Sequence, residues 1–199
     1  MNHKANVKAI GQNSIVELVY PQYIMELLKK HPDISSRTYM VSSQYILETL
    51  SIYKPEHIYL DSAKWTGSEL IGWFKLEHYP FTKEEHIEYV TASMLMLYLS
   101  QLGYIYARVI CERKLLPSGI NITTQDFFRS RDEGNIVFVG LDNINFRRKI
   151  TLSESPLEIR MKINRLHRVN RNLIGDIYFD VAGGIFTGKT RVAIILNEN

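Results

Sequence analysis

Cysteine is nearly missing from this chain. Cys111 stands alone, which excludes an intrachain disulfide framework and suits a reducing, cytoplasmic setting. Charge of one sign is also scarce: 24 Lys and Arg against 21 Asp and Glu leave +3, too little to argue for nucleic acid by itself. No run is long and apolar enough to span a bilayer cleanly. The N-terminus is mostly polar through Ser14, so no secretory signal is expected. The histidines are scattered and no two have close ligand spacing, so no metal or other cofactor is expected. No serine sits in a GxSxG turn, and there are no repeats.

What stands out instead is His86 to Cys111, a stretch without proline and with Gly103 as its one glycine. It is apolar almost all the way round, the pattern of a buried helix. Thr82 is its expected cap. At helical spacing Tyr89, Ser93, Ser100 and Tyr104 share a stripe, so their hydroxyls are expected to line one groove.

The rest of the chain falls into order around that helix. Residues 21–31 are amphipathic behind Pro21, and residues 38–53 are expected to form a second helix ended before Pro55. Residues 57–66 and 68–79 alternate like two strands joined around Gly67. Thr124 to Arg131 suggests a short helix capped by Thr123 or Thr124. From Asn135 onward the chain reads as a meander of long antiparallel strands. Turns are expected at Asp142-Asn143, Asn170-Arg171-Asn172 and Gly183-Gly184. Leu157, Ile159, Met161 and Ile163 alternate with Arg160, Lys162 and Asn164, giving one apolar and one basic face. A bulge is expected near Arg165-Leu166, where the alternation breaks. Gly183 to Thr190 spells GxxxxGK[ST]. A β-prone run follows it where a phosphate-binding loop needs a helix, so it reads as a glycine turn.

One long helix packed on a curved antiparallel sheet is the hotdog architecture, an α+β fold. We expect residues 1–55 to form an N-terminal helical extension and residues 56–199 the hotdog domain, within a single structural unit.

Several segments together resemble the FcoT-type fatty acyl-CoA thioesterases, a hotdog-fold family. These are HIYLDSAKWTGSELIGWFKL (57–76), Leu99 to Tyr104, Thr124 to Phe128, Asn145 to Lys149, and the ending from Gly183 through TGKTRVAIIL. They keep the family's order over roughly residues 15–196. The resemblance implies acyl-thioester chemistry on a CoA or acyl carrier protein substrate. It also implies a homodimer or dimer of dimers, since the family's pocket lies between two central helices. The family's four pocket positions fall here on Phe81, Thr91, Ser100 and Tyr104, with Tyr79 as a stand-in for Phe81. Two of them are asparagines in the family, replaced here by Thr91 and Ser100. Tyr104 is kept, with Gln101 beside it.

Hydrolysis of a thioester needs a water, a base and donors aimed at the developing oxyanion. The catalytic candidates are Glu88, Thr91, Ser100, Tyr104 and His86, with Glu88 or Glu85 as the base. The substrate-binding candidates are Tyr79, Phe81, Tyr89, Ser93, Gln101, Arg147 and Arg148. Both arginines belong to a basic run suited to CoA phosphates or an acidic carrier protein. Two alternatives stay open. One is dehydration or isomerisation of a carrier-bound β-hydroxyacyl chain. The other is a non-catalytic acyl-binding or partner subunit.

Overall fold

The computed structural model describes residues 38–78, 88–116, 120–170 and 172–195, together with the backbone of 16–18. The elements are β1 (Val16–Leu18), β2 (Tyr39–Val41), α1 (Ser43–Thr49), β3 (Leu60–Trp65), β4 (Leu70–Phe74), α2 (Ala92–Glu112), α3 (Thr124–Asp132), β5 (Ile136–Phe146), β6 (Leu157–Val169), β7 (Asn172–Val181) and β8 (Phe186–Ile195). All strand pairs are antiparallel, in the order β2-β3-β4-β6-β7-β8-β5. β1 joins β6 beyond the end of β4. The sheet wraps α2, and this is the hotdog fold.

The alternation in β6 holds: Leu157, Ile159, Met161 and Ile163 are buried, while Arg160, Lys162 and Asn164 are exposed. The bulge falls between Ile163 and Arg165. It lies in the gap that β4 and β1 leave along this edge of β6. There the Ile163 amide donates to the Tyr106 hydroxyl at 3.1 Å, and that hydroxyl donates to the Ser68 carbonyl at 3.0 Å. A side chain from the helix thus completes the sheet's hydrogen bonding, as a buried backbone donor requires.

α2 is held against the sheet by more than apolar burial. Gln101 is fully buried. Its Nε2 donates to the His57 carbonyl at 2.6 Å, and its Oε1 accepts from the Tyr59 and Leu60 amides at 3.0 and 3.1 Å. β4 comes close at Gly72, where a Cβ would lie 2.7 Å from Leu102 Cδ1. α2 has the length and hydropathy of a membrane span, but 67% of its most apolar window is buried inside the protein. Its apolarity serves the core.

Four expectations need correction. The central helix begins at Ala92, not His86. Residues 88–90 are extended because they pair with another segment: Val90 donates to the Ile150 carbonyl at 2.8 Å, and Leu152 donates to the Glu88 carbonyl at 3.1 Å. Thr91 caps the helix, its Oγ1 accepting from the Met94 amide at 3.3 Å. Thr82 lies outside the described residues. Residues 38–53 are not one helix, because β2 pairs with β3 first and Ser42 then caps α1. Asp142-Asn143 makes an irregularity inside β5 rather than a turn between strands, with Asn143 at φ 53°. The helix expected over 21–31 lies outside the described residues.

Other expectations hold. α3 starts at Thr124 under a Thr123–Asp126 capping box. Residues 182–185 form the turn between β7 and β8, and strand rather than helix follows. Gly183 and Gly184 have φ of 65° and 89°, which glycine adopts readily. Gly188 faces Phe179, whose Cζ would be 2.6 Å from a Cβ there. No helix supplies a phosphate site at this sequence.

Candidate functional site

Two cavities open along α2. The first, of about 250 Å³, lies at the helix start. Tyr89, Thr91 and Leu95 face Phe146, Arg148, Lys149 and Ile150 across it. The helix brings no acidic residue in its first turn, so its positive end is uncompensated by its own side chains. Lys149 Nζ stands 5.0 Å from the centre of the Tyr89 ring. Arg148 is held differently: its guanidinium grips Glu154 through two bonds of 2.8 and 2.7 Å.

The second cavity, of about 90 Å³, lies between the later turns of α2 and the inner faces of β5 to β8. Its walls are aliphatic, including Ile110, Leu166, Leu173, Ile177 and Ile194. Ser100, Tyr104, Tyr106 and Cys111 supply its polar atoms. Ser100 Oγ donates to the Met96 carbonyl at 2.9 Å, and the Tyr53 hydroxyl lies close enough to feel it. Tyr53 packs edge-on against Tyr104, ring centres 6.3 Å apart. Burial raises the pKa of both phenols, so both stay protonated at neutral pH. Burial likewise pushes the Cys111 thiol up to about 12, which removes it as a nucleophile.

The expected stripe is therefore divided. Ser100 and Tyr104 line the apolar cavity. Tyr89 precedes the helix and lines the other cavity, and Ser93 is exposed on the first turn, outside both linings. Thr91 lines the helix-start cavity while acting as the cap. Gln101 is committed to the His57–Leu60 backbone. Glu88 is exposed beside Tyr89. Arg147 is exposed, with its guanidinium near the Gly184 turn and outside both linings. Tyr79, Phe81, Glu85 and His86 lie outside the described residues. Sequence reasoning missed Tyr53, because no periodicity links it to Ser100 or Tyr104; only the fold joins them. It also missed Glu154, whose partner precedes it by a whole loop. Neither cavity lining contains an imidazole or a carboxylate among the described residues. The same residues contain no cluster of three or more His, Cys, Asp or Glu suited to a metal ion.

No family model and no curated protein matches this chain. Solved structures do. A candidate thioesterase from Shewanella oneidensis is 11% identical, over 77% of this chain and 96% of its own, at a TM-score of 0.46. The dehydratase heterocomplex ApeI:P from Xenorhabdus doucetiae is 10% identical, over 73% and 88%, at 0.45. A hypothetical thioesterase from Streptococcus pneumoniae, solved with coenzyme A, is 10% identical, over 66% and 81%, at 0.37. At these identities and scores the chemistry of this chain rests on its own residues. The resemblance to FcoT-type thioesterases rests on the quoted segments.

Proposed function

We propose that this protein hydrolyses acyl thioesters carried by CoA or an acyl carrier protein. One observation carries the reading: a single buried helix has a cation-rimmed cavity at its start and an apolar cavity along its later turns. The apolar cavity suits an acyl chain. The helix-start cavity suits the thioester, with the uncompensated positive end of α2 favouring the oxyanion. Water adds to the carbonyl carbon, and the carbon–sulfur bond breaks. The carbonyl oxygen's charge returns as the thiol leaves with a proton, releasing a free acid. Glu88, exposed just ahead of α2 and next to the Tyr89 wall of that cavity, serves as the base.

The test is release of free thiol from a long-chain acyl-CoA. Turnover should exceed the water background, and Glu88→Gln should lower kcat on the order of 100-fold, the usual contribution of a general base. Equal rates in wild type and variant would remove Glu88 from the mechanism. A second reading has its own support: Thr91, Ser100 and Gln101 are all committed to structural hydrogen bonds. A non-catalytic acyl-binding subunit would bind the acyl-CoA and release no thiol.

The same reading includes a second copy of the chain. β5 pairs with β8 on one side and with no strand on the other among the described residues. It exposes Val137, Val139, Ile144 and Phe146, an unprotected apolar edge. Phe146 also lines the helix-start cavity. Light scattering should give twice the 23.2 kDa chain mass. Val139→Lys should shift the protein toward monomer, and a monomeric wild type would exclude the pairing.

A further inference from the structure

We infer that Glu154 is a positioning residue: through Arg148 and Thr151 it clamps the 147–155 loop against residues 88–91 and so sets the shape of the helix-start cavity. The inference rests on the acyl-thioester reading for what the cavity binds. The local geometry stands without it.

The clamp can be traced bond by bond. Arg148 donates to both Glu154 oxygens, at 2.8 and 2.7 Å, and also to the Lys149 carbonyl at 2.8 Å. Glu154 Oε1 accepts from the Thr151 amide at 2.9 Å. The loop is thereby pinned to itself at three successive points. Thr151 stands opposite Tyr89 in an isolated bridge. On either side of that bridge, Val90 donates to Ile150 and Leu152 donates to Glu88. Just past Glu154, Ser155 Oγ accepts from the Leu76 amide at 3.2 Å, tying the loop to the chain that follows β4. Arg148, Lys149 and Ile150 from this loop, with Phe146 at the end of β5, form one wall of the cavity, and Tyr89, Val90, Thr91, Ala92 and Leu95 form the other.

Magnitude separates positioning from bulk stability. Arg148 and Glu154 keep 52% and 30% of their side-chain surfaces exposed. Exposed ion pairs contribute little to global stability. What this pair supplies is local order in a loop that has few buried side chains of its own. The carboxyl is held down to about 2, chiefly by Arg148 and then by the Thr151 amide, so the clamp stays closed across the neutral range. Arg148 is consequently committed, and Lys149, beside Tyr89, is the cation left to face a ligand's anionic group.

Glu154→Gln in the full chain keeps an acceptor for Thr151 and removes the ion pair. Amide exchange at Val90 and Leu152 should speed up by about tenfold with the unfolding midpoint nearly unchanged. KM for a long-chain acyl-CoA should rise several-fold with kcat little affected. If wild type binds without turnover, the same rise is read in Kd. Unchanged exchange at both amides overturns the clamp, and faster exchange with unchanged KM or Kd overturns its positioning role. A wild type that neither binds nor hydrolyses acyl-CoA sinks the acyl-thioester reading, and the exchange data then decide the clamp alone. Should Glu154→Gln misfold, Arg148→Gln makes the same test from the other side and leaves Thr151 capped by Glu154.

Discussion

Gln101→Leu should destabilise the protein by about 3–6 kcal/mol, because it strands two buried amides and a part-buried carbonyl at about 1–2 kcal/mol each. Leucine matches the side chain's bulk but offers nothing to the His57 carbonyl or the Tyr59 and Leu60 amides. These groups enter the sheet where β3 begins, so no neighbouring strand is in register to replace Gln101 at Tyr59. With a total stability of about 5–15 kcal/mol for a domain, a loss of this size removes much of the margin. Urea unfolding followed by the fluorescence of Trp65, buried beside Tyr106, measures it. Ser93→Ala is the control, since Ser93 is exposed on the same helix and should change stability by less than about 0.5 kcal/mol. A midpoint for Gln101→Leu equal to that of the control would show that the bonds add nothing.

Arg131→Met should cost about 2–4 kcal/mol, since it leaves the buried Thr49 carbonyl and the part-buried Glu48 carbonyl unpaired. Arg131 is 7% exposed. Its Nη1 donates at 2.8 Å to both the Glu48 and the Thr49 carbonyls, at the C-terminal end of α1. Arg108 reaches the same residue from α2, donating to Thr49 Oγ1 at 2.8 Å, and its guanidinium lies 3.7 Å over the Tyr45 ring. Phe128 packs beneath both guanidinium groups. α1 is thus pinned to α2 and α3 by two arginines converging on Thr49. Arg131→Lys should recover only part of the loss, because an ammonium lacks the planar fork. The chain after α1 carries Tyr53 to Ser100 and Tyr104, so this loss should also weaken binding at the apolar cavity. Thermal unfolding and titration with a long-chain acyl-CoA read the two effects separately. Additive losses in an Arg108→Met, Arg131→Met double mutant would show that the arginines act independently, whereas a shared anchor predicts non-additivity.

Much of the sheet was legible because strand patterning is local. Leu157 to Ile163 alternate, and a period of two admits one orientation against a core. The bulge near Arg165 was visible as a break in that pattern. The Gly183-Gly184 turn was legible as a glycine pair, and Gly188-Lys189-Thr190 stands in β8, as the strand-prone residues after it imply. The helix start was not legible. Residues 86–91 are compatible with helix in isolation. The pairing of Val90 and Leu152 with Ile150 and Glu88 is what holds 88–90 extended, and no local signal announces a partner that distant. Asp142-Asn143 misled for the opposite reason: turn-prone residues also tolerate the positive φ of an irregular strand.

The sequence by itself determined that one greasy helix would be buried, that long antiparallel strands would follow it, that a lone cysteine allows no intrachain disulfide, and that strand rather than helix would follow the glycine turn at 183–184. These follow from composition and periodicity, which constrain each segment separately. Only the tertiary structure decided which polar groups are free. It committed Gln101 to the backbone ahead of β3, Thr91 to the helix cap and Arg148 to Glu154. It also separated Tyr89 from the Ser100–Tyr104 cavity and packed Tyr53 against Tyr104. Hydrogen-bonding capacity is a property of residue type, but whether it is already filled depends on neighbours that the chain brings together only when it folds.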